Sequence, residues 1–289
     1  MTTTYPVQHI HSLNNIAIRE YSLADIESAD LNIHVYHQSI VFSVYQPQKN
    51  AFIGFVRYQF EQAVDMDYLF LKLKLLKSTE ELLNFTFKKK IIHIATNGAI
   101  LIPSDFFHKD AMASLYEFNF TKKYENYFTI SVGNIEVISG LTYRTKLFLD
   151  ELFGSYETQH IAYSLLTYFQ KIQVLSTTSS SIFLHMIDGS AFIIAYDGGK
   201  LIFYNQYFTR NEEDMLYYIL AVYEQLQLNT EHHELVLSGW IDTRSDMYKL
   251  MFKYIRNISF AKQIFTKHIP PQYPLDLQSC FIDVFNSHL

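Results

Sequence analysis

The sequence predicts an α/β chain built twice over: two lobes in tandem, each a mixed five-stranded sheet flanked by helices. Three observations lead there. Residues 181–208 (SIFLHMIDGSAFIIAYDGGKLIFYNQYF) read as three strands joined by turns at Asp188-Gly189 and Asp197-Gly198-Gly199. Asp-Gly between apolar runs is a strong hairpin signal, because a two-residue type I′ loop needs positive φ. The order of elements after this meander also repeats the order after an earlier one, at a spacing of about 140–150 residues, which suits a duplicated domain better than a solenoid. Finally, Phe192 to Ala195 and Leu201 to Phe203 are continuously apolar. Such runs call for helices over both sheet faces, since a sheet with one wet face would alternate.

In the first half, residues 1–30 form a polar lead-in. Strands are expected at 31–37 (LNIHVYH), 40–45 (IVFSVY) and 51–60 (AFIGFVRYQF), the last two joined by a polar turn containing Pro47. From Asp67 to about Leu83, Leu69, Leu73 and Leu76 recur at helical spacing with lysines between them. A short apolar strand at 91–95 follows, then a loop from Asn97-Gly98 to Pro103. Ser104 is placed to cap a helix over 105–116. A further strand is expected at 135–139, then helices at Tyr143–Phe153, ended by Gly154, and at 160–174. The Ser/Thr run 176–181 is the linker.

In the second half, Asn211 caps a helix whose first turn, Glu212-Glu213-Asp214, suits the positive end of the helix dipole. Met215, Ile219, Val222 and Leu226 form its stripe. A strand at 234–238 ends at Gly239. Asp242 or Thr243 is expected to cap a helix carrying Met247, Leu250, Met251, Tyr254, Ile255 and Ile258 on one face. A last strand over 260–267, a rigid loop with Pro270, Pro271 and Pro274, and a short C-terminal helix complete the plan. The expected divisions are therefore 1–30, a first lobe over 31–175 and a second over 182–289.

Composition narrows the function classes. Of 289 residues, 49% are apolar and 18% charged, a globular balance that excludes a mostly disordered chain. A net charge of −6 gives no nucleic-acid footprint, and Lys88-Lys89-Lys90 and Lys122-Lys123 read as solvated surface. Cys280 is the single cysteine, so no intramolecular disulfide or thiolate metal cluster can form, which fits the cytoplasm. No secretory leader and no membrane-spanning run are expected. Twenty-two tyrosines and 24 phenylalanines favour strands and interface cores.

The halves also echo one another in residues. NIHVYHQSIVFSVY corresponds to SIFLHMIDGSAFIIAY, FVRYQF to FYNQYF, and HIATNGAILIPSDFF to LVLSGWIDTRSDMY. Two copies of a three-strand meander followed by α-β-α-β-α resemble the actin-like, or ribonuclease-H-like, ATPase superfamily. More narrowly, the chain resembles an uncharacterised bacterial family with a diverged form of that fold, the domain-of-unknown-function 3822 proteins. The likeness covers residues 30–289 and rests on element order and the VLSGWI stretch.

That resemblance implies where nucleotide chemistry would sit. In active relatives the first turn of each meander carries Asp-x-Gly and a small hydroxylic residue: a tight turn whose N–H groups face phosphates, and a carboxylate for the metal. Here the first turn is His37-Gln38-Ser39, and the second is Asp188-Gly189-Ser190 with the intervening residue missing. Relatives hold adenosine with a Gly-Gly pair; Gly239 is retained and Trp240 replaces the second glycine. Asp188-Gly189 is equally what a hairpin demands, and Trp240 reads as a packing or interface residue.

Other chemistry finds no support. His9 and His11 lie in the lead-in, and His232-His233 point to opposite sides of an extended segment. No zinc-helix motif and no nucleophile elbow occur, so no catalytic or metal residue is assigned. Ser104-Asp105 and Ser245-Asp246 read as helix starts.

Two functions follow from the resemblance. The first is a non-catalytic actin-like scaffold (a pseudo-ATPase) with protein partners, self-association being one option. The rival is a divergent ATPase or kinase binding ATP with magnesium in an inter-lobe cleft, using Asp188, Gly189, Ser190 and Gly239. The balance leans against an enzyme.

Overall fold

The computed structural model describes residues 21–60, 66–175, 180–208, 211–262 and 279–288. His9, His11, most of the Ser/Thr run, the strand reading beyond Lys262 and the three-proline loop lie outside them. Among the described residues the chain divides into two compact units, 21–163 with 288, and 164–262 with 279–287.

The first unit opens with α1 (Leu23–Glu27), held by a capping box. The Ser22 hydroxyl accepts from the Asp25 N–H, and the Asp25 carboxylate accepts from the Ser22 N–H. Strands β1 (Asp30–Val35), β2 (Ser39–Gln46) and β3 (Ala51–Gln59) form the antiparallel meander. Helix α2 (Met66–Thr79) returns the chain to β4 (Lys89–Ile94), parallel to β1 with Ile33 beside Ile92. After α4 (Tyr143–Phe153) comes β8 (Glu157–His160), parallel to β4, giving the sheet order β3-β2-β1-β4-β8.

Alternation along the strands sorts the side chains. Leu31, Ile33, Val35, Phe42, Val44, Ile92 and Ile94 share a core with Leu69, Leu73 and Leu76 of α2 and Leu149 and Leu152 of α4. Thr142 caps α4 by accepting from the Thr145 N–H, and Gly154, at φ 67°, ends it as expected.

Between β4 and α4 the structure corrects the sequence reading. The stretch read as a loop to Pro103 contains β5 (Ile100–Pro103), and β6 (Asn126–Val132) and β7 (Ile135–Leu141) complete an antiparallel sheet of order β5-β7-β6. The strand read at 135–139 therefore belongs to this small sheet. The fifth strand of the main sheet is β8, whose four residues, ETQH, are too few and too polar to signal a strand. Ser104 does not cap a long helix. It begins a single 3₁₀ turn, its hydroxyl lies 3.3 Å from Glu136 Oε1, and α3 (Met112–Asn119) starts later. The insert has its own core, with Tyr116 packed on Phe120, Tyr124 and Tyr127 at 4.7–5.5 Å between ring centroids.

In the second unit α5 (Ala162–Leu175) leads into β9 (Ser180–Ile187), β10 (Ser190–Asp197) and β11 (Lys200–Phe208). Then come α6 (Glu212–Gln225), β12 (Glu234–Gly239), α7 (Asp246–Met251), β13 (Ile258–Phe260) and α8 (Ile282–Phe285). The order β11-β10-β9-β12-β13 repeats the first sheet, with β12 parallel to β9 and β13 parallel to β12.

Both faces are covered over β9, β10 and β12, whereas β11 is only partly covered and Ile202, in the run Leu201–Phe203 that suggested two covered faces, is 43% exposed. Leu184, Ile193 and Leu237 pack with Met215, Ile219 and Val222 of α6 and Met247 and Met251 of α7. On the other face Phe183 stacks on Phe169 of α5 at 4.3 Å. Asn211 caps α6 by accepting from the Asp214 N–H at 2.7 Å. The cap of α7 is Ser245; Asp242 instead closes the preceding turn by accepting from the N–H groups of Arg244 and Ser245. Helix α7 stops at Met251, so Tyr254 is half exposed although Ile255 stays buried.

Candidate functional site

The four residues singled out in sequence meet at the carboxyl ends of the parallel strands β9 and β12, the edge at which open α/β sheets bind ligands. Asp188 and Gly189 form the β9–β10 turn with φ of 50° and 77°, joining Ile187 to Ser190 across the ladder. Both angles are those of a two-residue type I′ loop. Asp188 and Ser190 are buried. Gly239 ends β12 opposite Met186 of β9.

Gly239 sits at φ +87°, and a Cβ there would lie 2.0 Å from the Met186 carbonyl oxygen. The next N–H, from Trp240, donates to that same oxygen at 2.6 Å. Glycine at 239 is therefore required by the packing of β12 on β9, independently of any ligand. Trp240 is 41% exposed and meets Phe281 edge to face at 5.4 Å, which gives the indole a packing partner beside α8.

The matching turn of the first unit is built differently. The Tyr36 N–H donates to Ser39 O at 2.9 Å and the Phe60 N–H to Gln38 O at 2.7 Å. Burial, aided by the positive charge of Lys122, lowers the His37 imidazole to about 4. At neutral pH this turn presents an uncharged ring and no carboxylate.

Beneath these turns lie buried polar groups that the sequence reading missed. In the first unit His34 and His93, neighbours in the parallel register, stack at 4.1 Å, and His93 Nε2 lies 3.1 Å from Asn32 Oδ1. Burial pushes His93 down to about 3 and holds His34 well below its ordinary range, with the neighbouring His93 a second cause. In the second unit His185 Nδ1 lies 3.0 Å from Ser238 Oγ, and its Nε2 is 3.6 Å from Asp283 Oδ1.

All three of these side chains are buried, and burial lowers His185 to about 3. A neutral His185 makes no ion pair with Asp283. The Ser, His and Asp types are those of nucleophilic catalysis, but a Ser238 sealed from solvent has no substrate within reach. One signal for the pairing was present in the sequence: His34 and His185 occupy matched places in NIHVYHQS and SIFLHMIDGS. Ser238 and Asp283 are brought to His185 only by the fold.

Elsewhere, His160 donates from Nε2 to Asn97 O at 2.8 Å while its Nδ1 accepts from the Ala162 N–H at 3.1 Å, and burial lowers it to about 4. His233 Nδ1 accepts from the Asn229 N–H at 2.9 Å. Among the described residues, no group of three or more His, Cys, Asp or Glu side chains could hold a metal ion. Of the lysine runs, Lys89 pairs with Glu157 and Lys123 with Glu117 at the surface, and Lys90 donates to Phe153 O.

Comparison with known proteins agrees with this architecture. Residues 19–258 match a family described as protein of unknown function (DUF3822). A structure of a Bacteroides thetaiotaomicron protein with an actin-like ATPase fold and unknown function superposes with a TM-score of 0.74 at 22% identity, over 90% of this chain and 97% of that one. A chain of the PilM–PilN type IV pilus biogenesis complex superposes with a TM-score of 0.57 at 8% identity, over 91% and 98%. No curated protein matches. These likenesses give the chain an actin-like ATPase fold of two mixed five-stranded sheets flanked by helices.

Proposed function

Because the chain belongs to the DUF3822 family, whose members are of unknown function, we propose from its own residues that it is a non-catalytic actin-like scaffold for protein partners. The observation that carries this reading is the pair of turns. One holds the uncharged His37 and no carboxylate, while the other holds an Asp188-Gly189 pair whose φ values are those of its hairpin. Gly239 is accounted for by its approach to Met186, and Trp240 by Phe281. A protein that has kept the fold and lost the phosphate-binding turns retains surfaces, and surfaces bind partners. The PilM–PilN neighbour belongs to a pilus biogenesis complex, and the scaffold reading extends such a use of the fold to this chain. No helix among the described residues is long and apolar enough to cross a membrane. The bacterial cytoplasm is part of the same proposal and draws on the single cysteine, Cys280.

A second reading, a divergent ATPase or kinase, draws on the convergence of Asp188, Gly189, Ser190 and Gly239 at the carboxyl ends of β9 and β12. There Asp188 would serve magnesium, Gly189 and Ser190 the phosphates, and Gly239 the approach of adenosine. Titration calorimetry with ATP and magnesium separates the two. The scaffold reading expects no heat at millimolar nucleotide. A micromolar affinity that disappears in Asp188→Asn, which keeps a turn-forming residue, would replace it with the second reading.

A further inference from the structure

We infer that the first sheet binds two internal water molecules, which complete a hydrogen-bond chain from Ser43 on β2 through Asn32 on β1 and His93 on β4 to Gln159 on β8. The register brings these side chains together. Asn32 lies opposite Ser43, His93 lies beside Gln159, and His34, two residues after Asn32, lies beside His93. Side chains at matched register share a face, so all four project to one side of the sheet. It is the side opposite the core built from Leu31, Ile33, Ile92 and Ile94. All four are nevertheless buried.

One link of the chain is direct, His93 Nε2 lying 3.1 Å from Asn32 Oδ1. An amide oxygen only accepts, so Nε2 carries the ring proton and Nδ1 of the neutral ring is left as an acceptor. The loose ends are Ser43 Oγ, Asn32 Nδ2, His93 Nδ1 and Gln159 Oε1. Each is buried and meets no hydrogen-bond partner among the described residues. Buried polar atoms are seldom left so, because leaving water without a replacement bond is costly. Neighbouring strands stand about 4.8 Å apart, a gap that one water spans between side chains at the same register.

Donor and acceptor types select the guest. His93 Nδ1 and Gln159 Oε1 both accept, so whatever joins them must donate twice, as water does with its two hydrogens. At the other end the Asn32 amide donates and the Ser43 hydroxyl does either, so a second water accepts from Asn32 and bonds Ser43. A metal ion would suit the first pair but not the Asn32 N–H groups. Among the described residues no group of three or more His, Cys, Asp or Glu side chains could hold one. The second sheet closes the matching place directly: His185 and Ser238 stand in the register relation of His34 and His93, and His185 Nδ1 lies 3.0 Å from Ser238 Oγ. In the first sheet the water gives the polar letters of β8 a use, since Gln159 ties this edge strand to β4 without apolar packing.

The test uses the full chain labelled with ¹⁵N. Long-range ¹H–¹⁵N correlation reads the His93 tautomer and whether Nδ1 accepts a bond. Cross-relaxation from water is read at the Asn32 side-chain amide, and relaxation dispersion of water deuterons counts long-lived internal waters. The parent is expected to show the Nε2–H tautomer, a bonded Nδ1 and water cross-relaxation at Asn32. Gln159→Met is expected to free Nδ1 and remove one long-lived water while the Asn32 signal stays. The inference is overturned by an Nδ1–H tautomer, by an unbonded Nδ1 or a silent Asn32 amide in the parent, or by an unchanged water count in Gln159→Met. A shift of the Nδ1 resonance on adding a chelator would also overturn it, in favour of a cation. If Gln159→Met does not fold, the parent's Nδ1 and Asn32 signals decide alone.

Discussion

At Gly239 two constraints coincide: a backbone at φ +87° and a neighbouring carbonyl oxygen 2.0 Å from any added Cβ. Gly239→Ala must relieve both, so an unfolding free-energy loss of roughly 2–5 kcal/mol is expected, combining left-handed strain with overpacking. Urea denaturation with an unchanged slope measures it. At Asp188, by contrast, Asn tolerates the same φ, so Asp188→Asn keeps the turn and should cost less than Gly239→Ala in the same denaturation. The difference separates what was legible in the sequence from what was not. The Asp-Gly turn announces itself in two adjacent letters, because its geometry is local. The reason for Gly239 lies in Met186, more than fifty residues away, and no local pattern carries it. The same holds for His185, Ser238 and Asp283, whose residue types carry no local mark of burial.

Among the elements, caps give the sharpest comparison. Thr142 and Asn211 each accept from an N–H in the first turn of their helices. Thr142→Ala and Asn211→Ala should each cost about 1 kcal/mol. Ser104→Ala should cost about half that or less, since Ser104 caps no helix and Glu136 keeps its bonds from Ser131 and Thr129. Thermal melts of the three variants test the assignment. The helix start at Asn211 was readable because cap, charge and periodicity agreed; α4 was read from Tyr143 without its cap, since its first turn holds Arg144 and no acid to mark Thr142. Ser104 carried the letters of a cap without the periodic face behind it, and the 3₁₀ turn there follows the pull of the β5–β7 ladder. Strand β8 escaped notice for a related reason: an edge strand of four residues, of which only Gln159 and His160 are buried, needs no apolar pattern of its own.

Over the whole molecule the two units share a plan but differ in acid sensitivity. Burial lowers His37 and His160 to about 4 and His93 to about 3, and it also lowers His34; all four lie in the first unit. In the second unit His185 is lowered to about 3. A histidine depressed in the folded state binds fewer protons there than in the unfolded chain. Its stabilisation is complete above its ordinary value of 6.5 and is lost as pH falls toward 3–4, by up to about 1.4 kcal/mol per pH unit for each residue. Normalised hydrogen-exchange protection should therefore fall in β1, β2 and β4 before β9, β10 and β12 as the pH is lowered from 7 to 5. Equal loss in both sheets would contradict the assignment. The duplication itself could be read from element order, because both meanders use the same local turns and both are followed by periodic helices. The inserted β5-β7-β6 sheet was hidden within one copy of that plan. It also changes the chain statistics of assembly. Ile92 of β4 meets Thr158 of β8 after 66 residues, whereas Val236 of β12 meets Ser259 of β13 after 23. Closing the longer loop costs about 1 kcal/mol more entropy if the intervening chain is slack. An insert that collapses first around Tyr116 shortens the effective tether and lowers that cost, so the docking rate of the last strand of the first sheet depends on how early the intervening β5-β7-β6 sheet has formed.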